Sequence, residues 1–381
     1  MAYRKPKVLH VATDFPDGIE RNNTLAVKNL LDETDDRFEH RVLSVVRKKG
    51  LEFKIVKSGT LYSIVVPRLP LGILCSTIML FSALFFYFKK GKEFSEVNVI
   101  HAHKLTIDGI FAFVLSKILK KPLLISVRGS TDAKFIKRKF YVRWLYKKII
   151  NSAEHVFFVS AWARSSVNKL FSEKYVPDSK FTNLANISRV NMVESNKEGA
   201  DFLFVGRLDL AKSKGLYRVF EAISKEKKYR LDIFGGATNE AAENIKNEMQ
   251  RLEISHLCNL RGKADKSVIF SGDYAALVMP SYPETFGMVY VESLLSGIPV
   301  ISSNRSGIAG YIEPSNYYLE VNEFDTEQIA RAMKRIHDDK QRVKANLLQD
   351  ISSGKLNLFN TCYIKEHYGN VAERAALNSG Q

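Results

Sequence analysis

Pro280–Val300 reads PSYPETFGMVYVESLLSGIPV. It opens on turn-forming residues, passes into an apolar helical pattern over Met288–Ser296 and ends on a β-branched run at Pro299–Ser302. Ala275–Met279 just before it has the pattern of a buried strand, so strand, helix and strand follow in sequence. Glu284 and Glu292 are eight positions apart. If the helix begins near Gly287, Glu284 sits in the loop before it and Glu292 on its second turn. The exposed N–H groups of Gly287 and Met288 then face the same side as Glu284, with donors and dipole favouring an anion. Gly287 allows close backbone approach, and each carboxylate can accept two hydrogen bonds, such as hydroxyls of a sugar or a ribose would donate.

The same alternation extends outward. Asp201–Val205 and Tyr229–Phe234 read as strands, with helices near Gly215–Lys225 and Glu240–Arg251. The first half repeats the pattern with strands at Lys7–Ala12, Arg41–Val46, Val97–His101, Leu123–Val127 and Val156–Val159, and a helix at Asn23–Leu31. The chain of 381 residues is long for one core, and strands alternating with helices predict parallel sheets covered on both faces. The expectation is α/β: two doubly wound domains, 1–185 and 186–360, then a helix in 361–381 from Thr361 to Ala376.

This stretch resembles the E-x7-E signature of retaining glycosyltransferases with the GT-B fold, especially glycosyltransferase family 4. Gly297-Ile298-Pro299-Val300 matches that family's G-x-P-V. Phe204-Val205-Gly206-Arg207-Leu208, followed by Lys214-Gly215, is similar to its V-G-R-L…K-G. The resemblance implies two Rossmann-like domains facing across a cleft, with the last helix packing back on the first. It also implies that Arg207 and a lysine grip the donor diphosphate, where fixed cations stabilise the charge of the leaving group. Two extra residues precede the glycine in DLAKSKG, so Lys212 and Lys214 compete, with Lys214 preferred for its place beside Gly215. Expected donor contacts further include Glu292 and the run Phe286, Gly287, Met288 and Val289, with Glu284 on the reacting sugar.

The first half matches less closely. His101-Ala102-His103 resembles the family's D-x-x-H-x-H, which implies a catalytic place for His103. Arg128 stands where many members have histidine and would contact phosphate or an anionic acceptor; a salt bridge is the structural alternative. Asp17-Gly18 resembles the family's Gly-Gly loop that faces the donor phosphates, with one glycine missing, leaving Gly18 as the expected phosphate contact. No Asp-x-Asp stands at a strand end, and neither a Walker pattern nor a G-x-G-x-x-G after a strand occurs. No metal and no bound cofactor are therefore expected, the nucleotide-diphosphate sugar being a co-substrate.

Charge divides the halves. Residues 1–200 hold 34 Lys+Arg against 18 Asp+Glu, whereas residues 201–381 hold 23 of each. A basic half suits phosphate, nucleic acid or anionic lipid. Leu71–Phe88 is uncharged and of membrane-span length, closed by Lys89 and Lys90. A true span would split the first sheet across the bilayer, so a helix part-buried and part-laid on a membrane is preferred. Lys134–Ile150 interleaves cations with Phe135, Phe140, Trp144 and Tyr146, as an interfacial helix does. Three scattered cysteines and no signal-peptide pattern point to a reducing cytoplasm.

The expected activity is metal-independent transfer from a nucleotide sugar to a glycan or lipid-linked acceptor. It would serve cell-surface polysaccharide or lipopolysaccharide synthesis, on the inner face of the cell membrane and without nucleic acid. A nucleotide-sugar epimerase or hydrolase, or a non-catalytic scaffold, would share the fold. The first would turn over donor without acceptor, and the second would lack Glu284, Arg207 or the lysine.

Overall fold

The structure is a computed structural model. It describes residues 4–19, 24–50, 52–68, 72–129, 132, 136, 140–164, 167–168, 178–188, 199–305 and 307–378. The chain divides into two compact units, Met1–Ile187 with Thr361–Gln381, and Ser188–Asn360.

The first unit is built on eight strands: β1 (Lys7–Val11), β2 (Glu39–Lys48), β3 (Lys54–Ser58), β4 (Leu61–Pro67), β5 (Val99–Ala102), β6 (Leu123–Val127), β7 (His155–Phe158) and β8 (Phe181–Asn183). Their order is β3-β4-β2-β1-β5-β6-β7-β8, parallel except for the antiparallel pair β3–β4. That edge hairpin departs from the all-parallel expectation. It turns at Gly59, whose φ of 58° suits glycine, and β3 (KIVKS) carries the charge that keeps an exposed edge from pairing further.

Helices α1 (Ala26–Thr34), α2 (Gly72–Lys90), α3 (Ile107–Leu119) and α4 (Arg143–Ser152) join these strands. Strand side chains alternate between faces. Leu9, Val11, Ile100, Ala102, Ile125 and Phe158 share one core with Met79, Ala83 and Phe86 of α2, Phe111 of α3 and Ile149 of α4. The opposite face carries His10 and His101 toward α1 and the C-terminal helix, where Tyr368 meets His101.

Helix α2 carries most of the apolar run. Met79, Ser82, Ala83 and Phe86 are buried, while Phe81, Phe85 and Phe88 are 64%, 40% and 82% exposed. Among the described residues no helix is long and apolar enough to cross a membrane. Residues 134, 135 and 137–139 of the basic-aromatic stretch lie outside the described residues. The helix that is described begins only at Arg143, and Tyr146 belongs to the core while Trp144 is exposed.

The second unit has six parallel strands, β9 (Phe202–Val205), β10 (Leu231–Phe234), β11 (Cys258–Gly262), β12 (Ala276–Met279), β13 (Val300–Ser303) and β14 (Tyr318–Val321), ordered β11-β10-β9-β12-β13-β14. Helices α5 (Leu216–Glu226), α6 (Asn239–Arg251), α7 (Met288–Leu295), α8 (Thr326–Asp338) and α9 (Lys340–Ser352) accompany them. The final helix α10 (Thr361–Asn378) belongs to the first unit. Arg37 donates to Glu373 from Nε at 2.9 Å and to Asn370 at 2.9 Å, and Lys365 holds Asp36 at 2.6 Å.

Candidate functional site

In the second unit the functional side chains gather at the carboxyl ends of the strands, where open α/β sheets bind ligands. After β12 the chain runs through Glu284 to Gly287, whose φ of 71° is left-handed, and α7 starts at Met288. A Cβ on Gly287 would stand 2.3 Å from the Tyr290 ring, so only glycine fits. Tyr290 in turn donates to the Met279 carbonyl at 2.7 Å, fastening the helix start to the end of β12.

Glu284 is tied down on both oxygens. Its Oε1 accepts from the Thr285 N–H at 3.0 Å, and its Oε2 forms an ion pair with the Lys214 ammonium. Lys214 ends a short turn of helix, Ala211–Lys214, closed by left-handed Gly215, whose Cβ position is 2.6 Å from the Pro280 carbonyl. Close packing of Gly215 on Pro280 thus brings the lysine to the carboxylate. Lys212, its rival in the sequence, is exposed, as is Arg207 at the end of β9. Gly235 makes the neighbouring close approach, because a Cβ there would meet the Gly206 carbonyl at 1.7 Å.

Glu292 is buried on α7, where its Oε1 accepts from Ser188 at 3.2 Å and from Lys266 at 2.5 Å. Sequence reasoning missed Lys266, which follows β11 in a polar stretch without a motif. It also missed Lys263, whose side chain lies over Gly236, with Cε 2.3 Å from that glycine's Cβ position. Among the expected donor contacts Phe286 is limited to its backbone. Its side chain is buried against Tyr311 and Phe359, with ring centroids 5.4 and 6.4 Å away, so only its backbone can serve a ligand. Gly287, Met288 and Val289 are half-buried at the helix start.

In the first unit His103 follows β5 and is fully buried, its N–H bonded to the Val11 carbonyl. Arg128, after β6, donates from Nη1 to Asn186 at 3.0 Å, and its Nη2 lies 3.5 Å from His103 Nδ1. Asp132 is a loop anchor: it accepts from the Arg128 N–H at 2.9 Å and from the Thr106 hydroxyl at 3.1 Å. Asp17 has the same kind of role, accepting from the Ile19 N–H and the Ser44 hydroxyl. Gly18 beside it has φ 78°, with open space around its Cβ position.

Electrostatics here is dominated by burial. Desolvation holds His10 and His103 well below the usual histidine value and lowers His40 to about 4 and His101 to about 3. It raises Asp108 to about 7, against the pull of Lys104. Lys104 bonds Thr13 at 3.0 Å and pairs with Asp14 at 2.6 Å. His10, His101 and His103 each place a ring nitrogen within 4.8 Å of the others. His10 and His40 carried no sequence signal, since only strand pairing brings them together.

Comparison with known proteins adds the following. Residues 190–352 match the family model described as glycosyl transferases group 1. An uncharacterized 41.2 kDa protein in the cps region of Klebsiella pneumoniae is 27% identical over 269 residues, covering 66% of this chain and 73% of that one. The O-antigen chain mannosyltransferase RfbU of Salmonella typhimurium is 26% identical over 208 residues, covering 52% and 55%. The chain thus spans between about half and three quarters of the length of these curated relatives. Sucrose-phosphate synthase of Thermosynechococcus elongatus superposes over 99% of this chain and 100% of its own, with TM-score 0.71 at 18% identity. HepE of Anabaena, solved in complex with UDP, gives 0.66 at 15% identity over 97% and 100%. At such identities the likeness is one of fold.

Proposed function

We propose that this chain, whose residues 190–352 match the group 1 glycosyltransferase model and whose fold is GT-B, moves a sugar from a nucleotide-diphosphate donor to a glycan or lipid-linked acceptor, with retention and without a metal. The observation that carries this reading is the Lys214–Glu284 pair beside the start of α7, with Glu292 on the second turn of that helix. Three kinds of group that a sugar diphosphate needs occur together there: cations, backbone donors and carboxylates.

In the proposed reaction Arg207 and Lys214 face the diphosphate. Arginine offers a planar fork and lysine a point charge, and both stabilise negative charge as the glycosidic bond breaks. An ammonium has three donors, so Lys214 can keep Glu284 oriented while serving a phosphate oxygen. Glu284 accepts from sugar hydroxyls and Glu292 from ribose hydroxyls. The leaving diphosphate takes the acceptor proton, which gives front-face attack and retention. Gly18 serves the donor phosphates, His103 has a catalytic place at the end of β5, and Arg128 meets a donor phosphate or an anionic group of the acceptor.

The wider setting is a cytoplasmic enzyme of surface polysaccharide or lipopolysaccharide assembly, resting peripherally on an anionic membrane. The cps-region and O-antigen relatives support the pathway class. The exposed Phe81, Phe85 and Phe88 on α2, followed by Lys89 and Lys90, support the membrane contact. The test is a donor screen with purified protein, read by saturation-transfer NMR and by product formation with membrane extract. One nucleotide sugar should bind, and Arg207→Ala and Glu292→Ala should weaken it. Binding of none, or binding indifferent to both substitutions, would sink the reading.

A further inference from the structure

The buried imidazoles of the first unit form a chain whose direction can be worked out from one hydroxyl. Thr34 ends α1, and its Oγ1–H donates to the Leu30 carbonyl at 2.7 Å. A hydroxyl has one proton, so its contact with His40 Nε2 at 3.1 Å must be one in which Thr34 accepts. His40 therefore carries its proton on Nε2. A neutral imidazole then has a bare Nδ1, and this nitrogen lies 3.0 Å from His10 Nε2. His10 must donate from Nε2, which leaves its Nδ1 bare, 3.0 Å from His103 Nε2. His103 donates from Nε2 in turn, and its Nδ1 is the lone pair facing Arg128 Nη2 at 3.5 Å.

The two ends agree. One is fixed by a backbone carbonyl, which can only accept; at the other a guanidinium, which can only donate, stands 3.5 Å away, favouring the same direction but too distant to fix it or to occupy the Nδ1 lone pair. The reverse direction would turn the Thr34 hydroxyl away from Leu30 and set an imidazole N–H against the guanidinium. His10 and His103 are fully buried and His40 is half-buried, and desolvation keeps all three neutral. His101 stands outside the chain, since its nitrogens meet Tyr368 at 3.2 Å and Ser126 at 2.9 Å.

We propose that His40 and His10 are positioning residues which, anchored by Thr34, hold His103 in the Nε2–H tautomer and present its Nδ1 as a hydrogen-bond acceptor for a sugar hydroxyl. The hydroxyl would meet Nδ1 beside the Arg128 fork. The chain ends on a carbonyl that neither gives nor takes a proton, so it acts as a tautomer lock and carries no net proton. A metal held by His10, His101 and His103 is the competing use of the same rings. It would need the His10 and His103 nitrogens that this chain engages with each other, and it would bring a dication near Arg128. The inference rests on His103 belonging to the sugar site, but its first readout needs no substrate.

The experiment is long-range proton–nitrogen NMR on full-length protein with 15N-histidine, His103 being assigned by single His→Gln substitutions. Expected for the wild type is a protonated Nε2 and an unprotonated Nδ1 on His103, unchanged by a chelator. A protonated Nδ1, or signals that shift with stoichiometric zinc, would overturn the proposal. Thr34→Val removes the anchor oxygen and Thr34→Ser keeps it. The valine variant should show mixed His103 tautomers and lose at least about 10-fold in kcat with donor affinity retained, and serine should restore both. Loss of kcat with an unchanged His103 tautomer would equally refute it. Should the valine variant fail to fold, the wild-type spectrum alone decides. An absence of any nucleotide-sugar binding would overturn the functional reading and leave the tautomer result standing.

Discussion

The two sheets handle buried polar groups by opposite means. In the second unit the key carboxylates are matched with cations: Glu284 with Lys214 and Glu292 with Lys266. In the first unit the buried histidines are stripped of charge instead, with neutral imidazoles bonded to one another, and Asp108 is raised to about 7 beside the charged pair Lys104–Asp14. Pairing keeps a charge available where a charged ligand is to be met, whereas neutralising it creates directional acceptors and donors suited to hydroxyls. The contrast fits a division into a donor side and an acceptor side.

The most forceful way to break this comparison is at Glu284. Glu284→Gln should lower transfer by about 100-fold or more while leaving the thermal transition within a few degrees, as expected for a charge that acts on the reacting sugar. Full activity in steady-state assays would remove the paired carboxylate from the chemistry.

Acid should then separate the units. His40 is desolvated to about 4, opposed by Asp35 and Asp32 and assisted by Lys5. A histidine with a depressed folded value stabilises fully above its unfolded value near 6.5, and that contribution fades as pH falls toward 4. His40 alone accounts for about 3 kcal/mol over that window. Calorimetry from pH 7.5 to 4.5 should show the first unit's transition moving down before the second's. In the second unit Asp273, although desolvated, is held below its usual range by Lys340 and Lys344, so its contribution is lost at lower pH. Simultaneous loss would contradict the contrast.

Asp108 sharpens the same point with the opposite sign. Its folded value lies above its unfolded one, so its penalty is absent in acid, grows through the range from about 4 to 7 and is complete above that. Asp108→Asn, which keeps an oxygen for the Thr13 N–H, should stabilise the protein at pH 8 by on the order of 2–4 kcal/mol and hardly at pH 4. Denaturant titration at both values checks it. The smallest effect concerns the basic unit's surface. Phe81→Ser with Phe88→Ser should reduce sedimentation with anionic vesicles several-fold, with stability changed by no more than about 0.5 kcal/mol.

How much of this was legible in the sequence follows from how local each signal is. Glycines that hold left-handed or close-packed positions, Gly215 and Gly287, stand beside the residues they position, so the donor motifs could be read as strings. The parallel alternation was legible for the same reason. The hairpin β3–β4 was not, because β3 is charged along an exposed edge and lacks the apolar run of a buried strand. Lys266 reaches Glu292 only through folding of a segment 26 positions away. His10 and His40 meet only because β1 lies against β2, and nothing near either residue announces a partner. The burial of Phe286 was not legible either, since a motif position is conspicuous whether its side chain or its backbone serves the site.

Helix α10 has a consequence for the order in which the protein can be built. Since Thr361–Asn378 lies on the first unit, the second unit is threaded into it as one long excursion of the chain. On the ribosome the second unit emerges whole and can close first. The first must wait, with Arg37 lacking Glu373 and the His101 ring lacking Tyr368, until the last helix is made. A chain cut short at residue 360 would therefore carry an intact second sheet beside a first one uncovered over its histidines, which is a form that quality-control proteases should remove.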